Sequence, residues 1–298
     1  MTVLSANLDM VRKLRALPDV GMKQVPGIVL VGVLWWYAGT VLYPSQLLKH
    51  RGVQVVGDVV GTEPAGLPRP GSGLRFSTRH PDPVILEDVS QNAHLVEDFD
   101  RLAVWYDTLI RPFSAPIFDE ALRGMGGYLA SDSRVLDLGC GPGRELRRVA
   151  ALVHEGEVVG ADLAAGMIRS AHAAARERGI ANCAFFQADA GRLPVLFDGA
   201  FDVVYSSLAH HHFPDPDAAA QGALRCLRPG GVYCIVDPGP RWFTTLSAPL
   251  GRLADPGWVG WHTPEEFREL LIRAGFSTAC WMPLLPGLGL AVGQKRRT

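Results

Sequence analysis

Hydrophobic and polar positions follow two different periods between residues 134 and 294. Short apolar runs, which are typical of buried strands, are separated by segments whose apolar residues recur every three or four positions, as in amphipathic helices. The apolar runs are RVLDLG, EVVGAD, CAFFQAD, FDVVYSS and GVYCIVD. Strands that alternate with helices predict an α/β fold, in which a doubly wound and mostly parallel sheet carries helices on both faces.

The end of the chain adds one more helix and two apolar segments. TPEEFRELLIRAGF predicts a helix that Thr263 caps, with Glu266 completing a capping box and Gly275 ending the helix. The two apolar segments, near 277–282 and 287–293, would close the sheet.

The first third of the chain is patterned differently. SANLDMVRKLRAL predicts an amphipathic helix, because its apolar residues fall near one face and its basic residues elsewhere. No charged residue lies between Lys23 and Lys49, and the centre of that stretch is GIVLVGVLWWYAGTVLY. Its length is at the lower limit for a membrane span, and its composition also suits a hydrophobic element packed on the core. Both interpretations of the apolar segment 25–48 stay open.

We therefore divide the chain into an apolar N-terminal extension, 1–95, and an α/β domain, 96–298. The segment 61–85 is rich in Gly and Pro and predicts a linker or a long loop.

Composition limits the kinds of binding partner and the cellular compartment that we expect for this chain. The chain has 29 Lys and Arg against 30 Asp and Glu, so no broad basic face for nucleic acid is expected. Its five cysteines are scattered and form no C-x-x-C pair, so neither a zinc site nor a disulfide framework is expected. Reduced thiols favour the cytoplasm, with the chain either free or held at the inner face of the membrane through 25–48.

The candidate chemistry begins where the first strand ends. SRVLDLGCGPGREL places Asp137 at the end of a strand and then Gly139, Gly141 and Gly143 before a helix. Glycines permit the positive φ of a tight turn and let a ligand approach the backbone, and the helix amides that follow favour an anion. The G-x-G-x-G spacing departs from the G-x-G-x-x-G of dinucleotide sites, which disfavours a nicotinamide oxidoreductase.

Two later strands also end in aspartates. Asp162 can accept hydrogen bonds from both ribose hydroxyls of a nucleoside, and Asp189 can accept one from the exocyclic amine of adenine. Met167 follows Asp162 by about one helical turn and either covers a flat ring or belongs to the plain core. Because open α/β sheets bind ligands at the carboxyl ends of their strands, these residues predict one nucleoside-binding edge.

In this order the motifs resemble the class I S-adenosylmethionine-dependent methyltransferases, especially the group that contains quinone, sterol and small-molecule enzymes. The matching stretches, which cover 134–236, are VLDLGCGPG, VVGADLAAGMI, QADAGRLP, FDVVYSSLAHHHFPD and ALRCLRPGGVYCIVD. They correspond in turn to the first motif, the ribose and adenine stretches, the fourth strand with its loop, and the fifth strand with its helix. The resemblance implies a Rossmann-like sheet of seven strands, the last of them antiparallel.

The resemblance also implies a cofactor and a site. The cofactor is S-adenosyl-L-methionine, and no metal takes part. The implied cofactor-binding residues are Asp137, Gly139, Gly141, Gly143, Asp162, Leu163, Met167, Asp189, Ala190, Ser206 and Tyr106. Tyr106 lies ahead of the first strand, where the family has a lid helix, and an ordinary helix surface is the alternative for it.

Three adjacent histidines, His210, His211 and His212, follow the fourth strand and supply the candidate base. A base that removes the proton of a hydroxyl acceptor assists methyl transfer, and histidine suits that role near neutral pH. If the backbone stays extended, His210 and His212 face one way and His211 the other. His211 is the first candidate for the catalytic base and His210 the second, with a structural role for all three as the alternative. Neighbouring side chains rarely converge on one ion, so no metal site is predicted.

The segment 237–262 is unusually aromatic, with Trp242, Phe243, Trp258 and Trp261. It predicts either a loop that closes over a planar or sugar-like acceptor or a small satellite core. The favoured function is methyl transfer to the oxygen of a small-molecule, lipid or glycan acceptor. Two alternatives stay open: C-methylation of a quinone- or sterol-like lipid ring, and a non-catalytic cofactor-binding partner subunit.

Overall fold

The computed structural model describes residues 76, 82–85, 111–254 and 258–298, the side chains of 111–116 and 250–254 excepted. The predicted amphipathic helix near the N-terminus, the apolar segment 25–48 and Tyr106 lie outside the described residues. None of the helices that are described has the length and hydropathy needed to cross a membrane.

Helices and strands alternate through the described part of the chain. The helices are α1 (Arg111–Met125), α2 (Arg144–Leu152), α3 (Ala165–Glu177), α4 (Pro216–Cys226), α5 (Arg241–Ala254) and α6 (Pro264–Ala274). The strands are β1 (Arg134–Leu138), β2 (Glu157–Asp162), β3 (Cys183–Gln187), β4 (Phe201–Ser207), β5 (Leu227–Pro238), β6 (Thr278–Leu285) and β7 (Leu288–Gln294). Each apolar run of the sequence is a strand, and α5 adds a helix inside the segment for which a loop was predicted.

The seven strands form one sheet in the order β3-β2-β1-β4-β5-β7-β6. Strands β1 to β5 pair in parallel, and β7 runs antiparallel to both of its neighbours, β5 and β6. This confirms the predicted Rossmann-like, mostly parallel sheet with an antiparallel last strand. The chain builds outwards from β1 to β3 and then returns to place β4 on the other side of β1. Sheets of this kind bind ligands at such a reversal, at the carboxyl ends of the strands.

Both faces of the sheet are buried, which explains the nearly continuous apolar runs. Leu136 of β1 and Val204 of β4 belong to the hydrophobic cluster on one face. Val135 and Val203, one position earlier on the same strands, belong to the cluster on the opposite face. The alternation of side chains along each strand therefore fills two cores, and the polar residues that carry chemistry are left for the strand ends.

The last helix begins and ends as its sequence predicts. The Oγ1 of Thr263 accepts a hydrogen bond from the Glu266 amide at 3.3 Å, and a Glu266 carboxylate oxygen accepts one from the Thr263 amide at 2.7 Å. The hydrogen bond from the Thr263 amide lowers the pKa of Glu266. Gly275 ends α6 with a φ of 105°, which favours glycine. The capping box and the glycine stop are therefore confirmed.

Part of the segment 61–85, predicted as a linker or long loop, lies against the sheet. The Val84 amide donates to the Phe185 carbonyl at 3.0 Å, and the Gln187 amide donates to the Val84 carbonyl at 2.7 Å. The ring of Phe76 stacks on the ring of Phe201 with their centroids 5.7 Å apart. These contacts cover part of the edge that β3 would otherwise leave unpaired.

Candidate functional site

The predicted glycine turn connects β1 to α2. Gly139, Gly141 and Gly143 have φ values of 74°, 51° and 69°, in the left-handed region. A Cβ on Gly139 would lie 2.5 Å from the Cβ of Ala209, and one on Gly143 would lie 2.9 Å from the Cβ of Ala171. A Cβ on Gly141 would meet nothing within 4 Å. The turn is therefore packed against the rest of the protein at Gly139 and Gly143. It is open at Gly141, where a ligand can approach the backbone.

Asp162, at the end of β2, is held against this turn. Its Oδ2 accepts a hydrogen bond from the Gly141 amide at 2.9 Å, and its Oδ1 accepts one from the Ala164 amide at 2.9 Å. A carboxylate offers roughly four acceptor positions, enough to serve both the turn and a ribose. Asp162 and Leu163 are both partly exposed. The structure therefore brings Gly141 and Asp162 together at one edge of the sheet.

The end of β3 lies next to the end of β2. Asp189 and Ala190 are partly exposed there, and Oδ1 of Asp189 accepts a hydrogen bond from the Gly191 amide at 2.8 Å. The Ala188 amide donates to the carbonyl of Asp162 at 2.9 Å, which ties the two strand ends together. Met167, at 2% exposure, is buried among core residues.

These residues fit the adenosyl cofactor that the resemblance implies. The fit rests on the open space over Gly141 with the carboxylate of Asp162 bonded to the same turn. Asp162 and Asp189 follow neighbouring strands, β2 and β3, and so serve the adenosine end. Because β1 lies between β2 and β4, the methionyl end of the cofactor would extend towards β4.

A buried acidic cluster lies at the ends of β1 and β4. Asp137, at 3% exposure, accepts a hydrogen bond from the Tyr205 hydroxyl at 2.7 Å. Burial, and after it the charge of Glu145, raises the pKa of Asp137 well above its usual range. Burial also raises the pKa of Glu145, in the first turn of α2, to about 7. Asp137 was predicted as a site residue but Glu145 and Tyr205 were not, although an acid two residues after a glycine turn is a visible signal.

Ser206, another predicted cofactor residue, is fully buried in β4. Its Oγ has no hydrogen-bond partner among the described residues. Because side chains alternate along a strand, Ser206 faces the side of the sheet opposite to Tyr205 and Ser207. The structure therefore does not bring Ser206 into the cluster that Asp137 forms.

The three histidines form a 3₁₀ turn, His210–His212, and not extended backbone. The conditional expectation that His210 and His212 would face the same way is therefore wrong. The rings of His211 and His212 lie 4.1 Å apart, whereas the ring of His210 packs 5.3 Å from that of Phe213. Within the described ranges, no group of three or more His, Cys, Asp and Glu side chains is placed to hold a metal ion.

His211 forms a buried pair with Asp237, the residue before the last of β5. Its Nδ1 lies 2.7 Å from Oδ1 of Asp237, and its backbone amide donates to Oδ2 of the same carboxylate at 3.0 Å. A carboxylate at Nδ1 fixes the imidazole with its proton on that nitrogen, so that Nε2 is the basic atom. Asp237 was not predicted as a site residue, although it is the acid that ends the fifth apolar run, as Asp162 ends the second.

His210 has a different environment. It is 0% exposed, and neither ring nitrogen has a hydrogen-bond partner in the part of the chain that the structure describes. Its ring packs 5.3 Å from the rings of both His262 and Phe267. Burial, and then the nearby His262 and His211, lower the pKa of His210 well below its usual value. Burial and the lowered pKa favour the neutral form of His210 and support the structural alternative considered for it.

We expect the buried His210 to make the fold sensitive to acid. Its pKa is lowered in the folded chain, so the unfolded chain binds more protons below about pH 6.5 and the free energy of unfolding falls there. The loss from this group is at most about 1.4 kcal/mol for each pH unit. The midpoint temperature of thermal unfolding should therefore fall less steeply between pH 7.5 and pH 5 in His210→Phe than in the wild type.

The exposed His154 supplies the control for that experiment, since His154→Phe should retain the wild-type pH dependence. Equal pH dependence in His210→Phe and the wild type would contradict a neutral, buried His210. Burial lowers the pKa of His262 as well, so part of the acid sensitivity should persist in His210→Phe.

Trp261 of the aromatic segment packs on His211, and Trp258 packs on Trp261. The ring of Trp261 is 4.6 Å from the ring of His211, and the ring of Trp258 is 5.8 Å from that of Trp261. The Val259 amide donates to the His211 carbonyl at 2.9 Å, which fixes this part of the segment. Trp242 and Phe243 belong to α5. The second half of the segment therefore forms an aromatic wall, Trp258 and Trp261, beside the histidine pair.

Comparisons with known proteins agree with this geometry. Residues 135–231 match a family model described as a methyltransferase domain. The chain is 38% identical over 143 residues to nocamycin O-methyltransferase of Saccharothrix syringae, a match that covers 48% of this chain and 50% of that protein. It is 30% identical over 203 residues to demethylmenaquinone methyltransferase of Thermus thermophilus, a match that covers 60% of this chain and 91% of that protein. The chain thus spans half the length of the first relative and nearly all of the second.

A solved structure shares the fold. The crystal structure of the YcgJ protein from Bacillus subtilis superposes with a TM-score of 0.53 at 21% identity, covering 60% of this chain and 99% of that chain. At this level of identity the likeness concerns the fold, which hosts many functions.

Proposed function

Because this chain belongs to the S-adenosylmethionine-dependent methyltransferases, we propose that it transfers a methyl group from S-adenosylmethionine to a hydroxyl oxygen of a small molecule. The observation that carries the choice of oxygen is the buried pair of His211 and Asp237, with Nδ1 and Oδ1 2.7 Å apart. The pair follows β4 and β5, at the same edge of the sheet as the glycine turn. This location supports a base that acts next to the cofactor.

His211 is the general base in this proposal. When bound, S-adenosylmethionine supplies a methyl group that its sulfonium makes electrophilic. Nε2 of His211 takes the proton of the acceptor hydroxyl as the oxygen attacks that methyl group. Asp237 keeps the proton of the neutral ring on Nδ1 and stabilises the imidazolium that forms, because its carboxylate is 1% exposed and in contact with Nδ1. Asp237 is thus a positioning residue that acts through His211.

The glycine turn and the aromatic wall align the two reactants. The turn at Gly141 and the carboxylate of Asp162 hold the adenosyl part, while Trp258 and Trp261 offer ring faces to the acceptor. The Nε1 of Trp261 has no hydrogen-bond partner within the described residues and can donate to a polar acceptor group. Planar rings and sugar faces both stack on such walls. Alignment of this kind can contribute roughly 7–11 kcal/mol to catalysis.

C-methylation of a quinone-like ring is the second candidate. It is favoured by the match to demethylmenaquinone methyltransferase, of whose length this chain covers 91%. The same base could remove the proton from the ring carbon after transfer. The residues at the site therefore do not distinguish O-methylation from C-methylation.

The identity of the atom that receives the methyl group tests the proposal. We expect the full chain, supplied with S-adenosylmethionine labelled with ¹³C in its methyl group, to methylate members of a panel of hydroxylated aromatic, quinone and glycosylated compounds. Mass spectrometry should find products heavier by one methylene, and ¹³C NMR should give the chemical shift of a methoxy carbon. A C-methyl shift would contradict O-methylation. Cofactor binding without transfer to any compound would favour a non-catalytic partner subunit.

A further inference from the structure

We propose that Glu145 is a further residue of the cofactor site, which carries a proton in the absence of cofactor and releases it to solvent when the methionyl cation of S-adenosylmethionine binds. The inference rests on the proposed function, because it takes that cofactor as the ligand. It adds a charge-balancing role for a residue outside the motif glycines and the two strand-end aspartates, Asp162 and Asp189. In chemical terms, the Glu145 carboxylic acid becomes a carboxylate beside the bound cation, and one proton leaves for water.

The strand order places Glu145 at the methionyl end. The ends of β3, β2, β1 and β4 follow one another along the sheet, about 4.8 Å apart. With the adenosine at Asp189 and Asp162, the rest of the cofactor extends past the turn at Gly141 towards β4. Glu145 comes two residues after Gly143 in the first turn of α2, and its charge acts on Asp137 at the end of β1. The cationic half of the cofactor is thus directed to the acidic cluster.

The charge of Glu145 is only partly compensated in the described part of the chain. It is 6% exposed, and its Oε1 is buried without a hydrogen-bond partner there. Arg148, one turn further along α2, lowers the pKa of Glu145 only in part. The guanidinium of Arg148 is already paired with Asp119 of α1 at 2.5 Å and is 38% exposed. A buried carboxyl without a partner is costly, which favours a cationic ligand as its partner.

The side chain of Ser207, at the end of β4, lies beside Glu145. Its Oγ is buried, and its hydrogen bonding lowers the pKa of the Glu145 carboxyl. Ser207 and Glu145 therefore offer two acceptor oxygens at one place, which suits an ammonium donor.

The neighbouring groups decide which acid of the cluster changes its charge near neutral pH. Asp137 and Glu145 repel each other when both are ionised, and burial disfavours two charges in one cluster. The charges of Glu145 and of Asp162 of β2 both raise the pKa of Asp137, so Asp137 ionises after Glu145. Glu145, with a pKa of about 7, is therefore the acid of the pair that can lose its proton near neutral pH when a cation arrives.

Isothermal titration calorimetry of the full chain tests the inference by counting protons. Titrations with S-adenosylmethionine at pH 7 in PIPES and in imidazole, two buffers of contrasting ionisation enthalpy, give the number of protons released on binding. With the pKa of Glu145 at about 7, we expect release of about half a proton at pH 7 and more at pH 6. The affinity should be about fivefold tighter at pH 7 than at pH 6. S-adenosylhomocysteine, which lacks the sulfonium charge, should release less.

Glu145→Gln separates this inference from the proposed function. The variant should bind the cofactor with little proton release and a flat pH dependence, while Glu177→Gln, on the exposed end of α3, should behave as the wild type. Binding by the wild type without proton release, or equal release by Glu145→Gln, would overturn the role of Glu145 and leave the function standing. If Glu145→Gln does not fold, the pH dependence of the wild-type affinity for S-adenosylmethionine tests the inference by itself. Equal affinity at pH 6 and pH 7 would overturn it. No binding of either ligand would instead overturn the proposed function.

Discussion

Replacement of His211 by alanine is expected to lower kcat by roughly 10²–10⁴-fold, the usual contribution of a general base. The affinity for S-adenosylmethionine should change little, because His211 follows β4, whereas the carboxylates that we propose to bind the adenosine follow β2 and β3. Steady-state kinetics with an acceptor identified from the panel measure kcat, and calorimetry measures cofactor affinity. Unchanged turnover would reject His211 as the base.

Asp237→Asn distinguishes a positioning role from a structural one. An amide beside Nδ1 no longer favours a proton there and cannot stabilise the imidazolium, so kcat should fall and its pH profile should shift. His154→Ala, a change at an exposed histidine, serves as the matched control and should keep wild-type kinetics. A normal pH profile in Asp237→Asn would show that the buried contact of 2.7 Å does not tune the base.

The fold followed from the sequence because its signals are local. An apolar run such as EVVGAD is bounded by a turn on one side and an aspartate on the other, and the structure makes it β2, Glu157–Asp162. The capping box of Thr263 and Glu266 is equally local, since both partners lie within four residues. Helix α5 carried no such signal, because Pro249 lies inside it and its segment reads as aromatic loop.

A residue at a strand end can predict a binding role from its position alone. The position of Asp162 predicts ribose binding, and the structure places its carboxylate 2.9 Å from the Gly141 amide. Asp237 and Glu145 could not be assigned that way, because their partners are remote in sequence. His211 lies 26 residues before Asp237, and the pKa of Glu145 is raised by its burial in the folded chain.

The histidine turn shows how backbone hydrogen bonds override a side-chain pattern. The His212 amide donates to the Ala209 carbonyl at 3.0 Å, and the Phe213 amide donates to the His210 carbonyl at 3.0 Å. The chain enters this turn through Leu208, whose backbone φ of 52° is uncommon for a residue other than glycine. The alternation of side chains in a strand does not hold once the backbone enters such a turn. The expectation of a continued strand therefore put His212 on the same side as His210, whereas the turn puts the ring of His212 next to the ring of His211.

Asp162→Ala is expected to weaken binding of S-adenosylmethionine and S-adenosylhomocysteine by about a hundredfold or more. The change removes the carboxylate that would accept from the ribose hydroxyls, and hydrogen bonds to a charged acceptor contribute roughly 1.5–3 kcal/mol each. It also releases the Gly141 and Ala164 amides, which the same carboxylate holds at 2.9 Å. The turn should therefore lose its pre-organised shape as well as an acceptor. Calorimetry with both ligands measures the loss.

The control for this change is Asp217→Ala, which removes an aspartate from an exposed ion pair with Arg273 at 3.0 Å. Surface pairs of this kind contribute little, so that variant should bind both ligands as the wild type does. Circular dichroism should find the sheet and helices of Asp162→Ala intact, because the turn lies at the edge of the sheet and the two hydrophobic clusters are untouched. Wild-type affinity in a folded Asp162→Ala would mean that the ribose binds elsewhere, and the assignment of β2 and β3 to the adenosine end would fall with it.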